Sequence, residues 1–160
     1  MKFWRTFINS LRLPNRQAIF ALNRISMDIA VLYLFILLLL ASIPSLAEQL
    51  LTGEGTGMNW LLLLVYFFIF FYLPLNIVVF LLISLVAYIG TGIAKLLKRK
   101  IRFSILWKLV VYTTTIPFLL YTTLAFFFRI NDVLTGLFIL YTFLFMIKII
   151  TVFPKRKPRK

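Results

Sequence analysis

Between Glu54 and Lys95 the chain runs for 40 residues, 55–94, without a charge. Leu, Ile, Val, Phe and Tyr crowd this run, which stops abruptly in the basic KLLKRK at 95–100. One helix crosses the roughly 30 Å apolar core of a bilayer with about 20 apolar residues, so the run exceeds a single upright crossing. A soluble domain has no interior large enough to hide it, and lipid is the solvent it fits. The rest of the 160-residue chain agrees, with 62% hydrophobic residues and a mean hydropathy of +1.02. These values belong to an all-α polytopic membrane protein and leave no room for a separate soluble domain.

Four spans are expected, at about 28–47, 59–94, 105–128 and 133–153. The first holds LFILLLL at 34–40, with Asp28 at the positive end of its helix dipole, one turn from Arg24, and Pro44 near its far end. The second is too long to stand upright, since 36 helical residues reach roughly 54 Å. Its first part, 59–73, reads as a tilted or interfacial half-helix, kinked at Pro74 into the crossing 75–94. The third carries TTTIP at 113–117 and has Ser104 as an expected cap. The fourth contains Lys148 near its end, where a lysine can snorkel. Between the first two spans, GEGTG at 53–57 lacks the Lys-Ser/Thr of a phosphate loop and reads as an outer turn, as does RIND at 129–132.

Before the first span, residues 1–26 form a separate cytoplasmic interfacial segment. Phe3, Trp4, Phe7, Ile8 and Leu11 share one helical face, and Lys2, Arg5, Asn9 and Arg12 lie largely opposite, as suits a helix in the headgroup plane. A frayed basic tail is the other reading. Pro14 ends this helix, and a second short one is expected over 15–25. The N-terminus does not read as a signal peptide, because its apolar region starts late, near Ile29. The end, 154–160, is a basic, proline-interrupted cytoplasmic tail.

Net charge is +14, from 18 basic and four acidic residues. In a soluble protein that would point to nucleic acid, but here the placement of the charges argues against a nucleic-acid partner. With four spans, 17 of the 18 basic residues fall on one side, leaving Arg129 alone opposite. Basic residues favour the cytoplasmic side, so both termini are expected there, in the cell membrane. Five spans would put one basic cluster outside.

The chain has no cysteine and no histidine. Disulfides, thiolate metal sites, a Cys nucleophile and the usual general base are thereby excluded. Asp28 and Asp132 are expected at opposite faces, too far apart for a carboxylate dyad. No enzyme, cofactor or metal site is expected.

Two groups of residues stand out instead. The second span gathers Ser84, Ala87, Gly90, Thr91 and Ala94, with Gly90 and Ala94 as a small-xxx-small pair for close helix packing. Counted inward from the basic turn 95–108, this face meets Thr113, Thr114, Thr115 and Pro117 of the third span in an antiparallel hairpin. Pro117 cannot donate to the carbonyl of Thr113, so a nearby threonine, including Thr91 across the interface, is expected to serve it; bonding back to the threonine's own helix is the alternative. The second group, Lys95, Lys98, Arg99, Lys100 and Arg102, either contacts anionic lipid or only sets topology.

Three passages carry a resemblance to a known family. They are Phe7, Ser10 and Pro14 in an F-x-x-S-x-x-x-P pattern with IP at 43–44, AYIGTGIAKLLKRK at 87–100, and WKLVVYTTTIPFLLYTTL at 107–124. In these the chain resembles an uncharacterised family of multi-pass membrane proteins from Gram-positive bacteria that bears the name maltodextrin-utilisation proteins and is similar to the Yip-type membrane bundle. The resemblance covers about half the chain and implies a helical bundle without catalytic residues. The segment between the first two spans is shorter here than in that family.

The expected function is therefore that of a non-enzymatic membrane accessory or scaffold protein. Its partners would be membrane lipids, anionic ones among them, and either a second copy of the chain or another membrane protein. A small transporter or channel subunit is the second reading, although the spans lack the buried charges that mark ion paths. A holin-like protein is the third.

Overall fold

The structure, a computed structural model, describes residues 2–52, 59–127 and 132–155. The glycine-rich turn 53–57, the turn residues 129–131 and the tail residues 156–160 lie outside the described residues. All the elements described are helical: α1 (Lys2–Leu11), α2 (Arg16–Asn23), α3 (Met27–Thr52), α4 (Trp60–Phe67), a π-helical turn (Phe68–Tyr72), α5 (Leu73–Leu96), α6 (Phe103–Thr113), α7 (Thr115–Phe127) and α8 (Asp132–Val152).

Three helical runs are long and apolar enough to cross a membrane: Met27–Leu51, Trp60–Leu96 and Phe103–Phe127. Among the residues of α8 described with their side chains, Gly136–Val152 is apolar. α3 runs through Pro44 to Thr52 instead of ending near residue 47. Proline removes a single backbone donor, and the good helix formers Leu46, Ala47, Glu48 and Gln49 carry the helix onward.

α4, the π turn and α5 follow one another as a 37-residue helix. Pro74 has no N–H to give the carbonyl of Phe70, and the ladder widens just before it, with the Leu73 N–H reaching back five residues to the Phe68 carbonyl. Tyr72 Oη donates to the Phe35 carbonyl at 2.9 Å and fastens this turn to α3.

Two expectations about the basic end change. The segment 95–108 is not one surface turn. α6 already begins at Phe103, with Arg102 as its N-cap and Ser104 exposed inside the helix rather than capping it. Trp107 and Lys108, expected at the surface, are buried. Nor does the N-terminal segment stand apart as a unit. α1 packs on α2, α6 and α7, and α2 packs on α6.

α6 is the hub. Around it sit α1, α2, α3, α5 and α8, and the core cluster centres on Leu106, Trp107, Leu109, Val110, Val111 and Tyr112. Away from this hub the helices diverge, and α7 keeps α3 as its main neighbour.

Candidate functional site

The face of α5 that meets α6 is made by Ile83, Ala87, Gly90 and Ala94, all buried at helical spacing. Ser84 flanks them and accepts a hydrogen bond from Trp107 Nε1 at 3.0 Å, while its own hydroxyl donates to the Phe80 carbonyl at 2.8 Å. Gly90 lies where three helices meet. A Cβ added there would fall 2.4 Å from Met146 Sδ on α8 and 2.6 Å from Leu106 Cδ2 on α6. A side chain there requires the flexible ends of Met146 and Leu106 to give way.

Thr113, Thr114, Thr115 and Pro117 do not meet that face. The small residues face 106–107, about two to three turns nearer the basic end, because depth counts from Phe103, where the third span starts, and not from Lys108. Thr91, half-buried, donates to the Ala87 carbonyl of its own helix at 2.8 Å and makes no bridge to α6. The three threonines also bond back, to the carbonyls of Leu109, Val111 and Tyr112 at 2.8, 2.7 and 2.7 Å. Thr114 is the C-cap of α6. The hydroxyls of Thr114 and Thr115 thus serve carbonyls of the last α6 turn beside the break, and none of the three donates to the Thr113 carbonyl that Pro117 cannot serve. TTTIP is a self-capped helix break inside the apolar layer.

Thr115 belongs to a second feature that sequence reasoning missed. Tyr33 Oη on α3 lies 2.8 Å from Thr115 Oγ1 and 2.9 Å from Ser10 Oγ on α1, and Ser10 also donates to the Phe7 carbonyl at 2.7 Å. Four contacts share three hydroxyl protons, so the chain from the Phe7 carbonyl to the Tyr112 carbonyl is always one proton short. Beside it the Tyr112 hydroxyl is buried without a partner, its ring 5.4 Å from that of Tyr33. The available signal was Thr6 and Ser10, polar residues at the edge of the apolar face of α1.

That face divides in two. Phe3, Thr6, Phe7 and Ser10, at spacings of three and four, turn to the bundle, whereas Trp4 and Leu11 are exposed. Arg5 and Arg12 occupy a third, solvent-side sector. The five apolar residues expected to form one lipid-facing surface are shared between protein and surroundings.

At the other side of α6, Lys108 Nζ donates to the carbonyls of Asn23 and Ile25 at 2.9 and 2.6 Å. Its ammonium sits at the C-terminal, negative end of α2, where a cation is favoured. Of the second expected group, Lys95, Lys98, Lys100 and Arg102 are exposed. Arg99 is not part of that free cluster. Its guanidinium donates to the Phe153 carbonyl, and Lys100 N donates to the Pro154 carbonyl at 3.1 Å, so the turn after α5 is laced to the segment after α8. Phe153 in turn packs on Phe20 of α2, ring centroids 5.7 Å apart. Arg16 on α2, Arg99 and Lys100 after α5, and Lys155 after α8 therefore share one end of the bundle.

In the opposite half, α3, α5, α7 and α8 enclose a cleft of about 370 Å³ with almost wholly apolar walls. No group of three or more potential metal ligands occurs among the described residues. Comparison with known protein families, with curated proteins and with solved structures finds no match.

Proposed function

We propose that this is a non-enzymatic accessory or scaffold protein of the cell membrane, crossing it four times with both termini cytoplasmic. The observation that carries the proposal is the surface of the 60–96 helix. Its most apolar window is 11% buried, against 44% in each of the other two candidate spans, and at 37 residues it is longer than the bilayer core requires. Trp60, Leu61, Leu64, Phe70, Leu81 and Tyr88 all lie exposed along it. A face of this extent suits lateral contact with lipid and with another membrane protein, whether a second copy or a different chain.

The four-span topology is supported by the gathering of Arg16, Arg99, Lys100 and Lys155 at one end, which three crossings would not produce. The exposed Lys95, Lys98, Lys100 and Arg102 then lie where anionic headgroups concentrate, each adding about 1 kcal/mol of attraction. The reading agrees with the multi-pass family that the sequence resembles. Purification in mild detergent tests it: a stoichiometric membrane partner or a defined homo-oligomer is expected, and a bare monomer overturns it. For topology, cysteines placed singly at Thr56 and Asn131 should label from outside intact cells, and one at Ser104 should not. External labelling at Ser104 would remove the four-span model.

A further inference from the structure

The cleft between α3, α5, α7 and α8 has a shape that selects its occupant. It follows α5 from Val86 to Phe71 in the π turn, a length of about 20 Å at 1.5 Å per residue. A helix about 10 Å across would need roughly 800 Å³ over that length on the same measure, about twice the volume present. Water is a poor filler, because it needs two to four polar partners and the walls are apolar. A single hydrocarbon chain fits. One leaflet of a roughly 30 Å core is about 15 Å deep, so a lipid chain is long enough to occupy most of the cleft.

The few polar residues in the walls also give a direction. Thr114 and Thr142 commit their hydroxyls to the carbonyls of Val111 and Phe138, at 2.7 and 2.9 Å. Ser45 and Tyr121 line the same cleft and make no hydrogen bond among the described residues. Each lies 18 residues from the start of its run, at Met27 and Phe103, so both stand about 27 Å from the basic end. The two uncommitted hydroxyls are thus level with one another and far from the basic end. The inner end of the cleft, at Val86 and Val110, offers only methyl groups.

We propose that this cleft is a binding site for one acyl chain of a membrane phospholipid from the leaflet opposite the basic end. The terminal methyl lies against Val86 and Val110, and the ester region lies beside Ser45 and Tyr121. The proposal deepens the lipid part of the accessory reading and rests on its membrane placement.

The test uses the full chain in phosphatidylethanolamine–phosphatidylglycerol vesicles containing a trace of phospholipid with a photoactivatable diazirine on one acyl chain. A diazirine at the terminal methyl should label peptides at Val86 and Val110, and one near the carboxyl end should label those at Ser45 and Tyr121. Val79→Trp, which fills the cleft from α5, should abolish the Val110 label. Leu85→Trp, on the exposed side, should leave it intact. Equal labelling of the cleft and of Tyr88 on the open face, or a Val110 label that survives Val79→Trp, reduces the contact to ordinary surrounding lipid and overturns the site. Cross-links between two copies through the cleft overturn it in favour of a protein occupant. If Val79→Trp does not fold, Ala41→Phe closes the cleft from α3, and the positional pattern on the wild-type chain decides on its own. Co-purification of a partner is read separately, so a missing label and a missing partner fail different statements.

Discussion

α6 and α7 come from one apolar run, parted at Thr114, yet eight consecutive residues of α6, 106–113, are buried, while α7 buries Thr115 and Pro117. The more polar half is the enclosed one. α6 contains Trp107, Lys108, Tyr112 and Thr113, each with a polar atom that must be satisfied or tolerated inside, and α7 presents Leu120, Phe126 and Phe127 outward. In water such a distribution would be inverted. In lipid the outside is as apolar as the inside, so burial follows the number of neighbouring elements and the need to shelter polar atoms. Five helices surround α6 because both short N-terminal helices dock beside it.

The most direct way to break this comparison is to truncate one leucine in each half. Leu109 is fully buried and Leu120 is about half exposed. Leu109→Ala should cost roughly 2–5 kcal/mol, the range for a buried leucine whose cavity does not collapse. Leu120→Ala should cost well under 1 kcal/mol, since lipid fills the space. Thermal denaturation in one detergent measures both. Equal losses would mean that α7 is packed as tightly as α6.

Gly90→Leu comes next. The added side chain meets Met146 and Leu106 at the α5–α6–α8 junction. Both neighbours present flexible ends, which holds the expected loss to about 1–3 kcal/mol, the usual cost of overpacking. Met146→Ala in the same chain should recover part of it by making room. If Gly90→Leu alone leaves the melting temperature unchanged, the hub does not close around α5.

Lys108→Met keeps the apolar stem but strips the carbonyls of Asn23 and Ile25 of their charged donor. Hydrogen bonds to charged groups contribute roughly 1.5–3 kcal/mol, and the carbonyls regain some water at this end, so about 2 kcal/mol is expected. The loss should be local. Hydrogen exchange should accelerate in α2 while α7 stays as protected as before; uniform acceleration would show that Lys108 holds the bundle and not the docked helix.

Much of this architecture was legible in residue order, and the failures have one cause. Uncharged length marked the long helices, a second short helix does follow Pro14, and of the small residues on α5, Ser84 and Gly90 lie against α6. Reading every basic residue as a surface residue places Lys108 at the end of the turn and slides the expected partner of Gly90 from Leu106 toward Thr113. A lysine capping another helix from within has the same sequence signature as one facing water. Arg99 conceals a tertiary role in the same way, because its carbonyl partner at Phe153 lies 54 residues away. The Ser10–Tyr33–Thr115 chain was half visible for a related reason: Ser10 marks a polar edge on α1, but its partners sit on two other elements. The cleft depends on helix divergence, which apolar composition does not encode.

The smallest effect expected is also the one that links the two halves. Tyr33 is buried at the seam, bonded on one side to Ser10 of the docked helix α1 and on the other to Thr115, the first residue of α7. Because three protons serve four contacts, removing the tyrosine hydroxyl deletes two contacts but only one proton. Ser10 then donates without competition to the Phe7 carbonyl, and Thr115 to the Tyr112 carbonyl. Intramembrane hydrogen bonds average about 0.6 kcal/mol, so Tyr33→Phe should lower stability by about 1 kcal/mol or less, with ring packing against Phe3 and Tyr112 retained. The informative readout is α1. With this tie to Ser10 gone, α1 keeps the contacts of Phe3, Thr6 and Phe7, and protease sensitivity at Arg12 should rise while the helices of the hub keep their protection. If sensitivity at Arg12 is unchanged, the apolar contacts suffice to dock α1, and the hydroxyl chain serves only to satisfy polar atoms at the α6–α7 break.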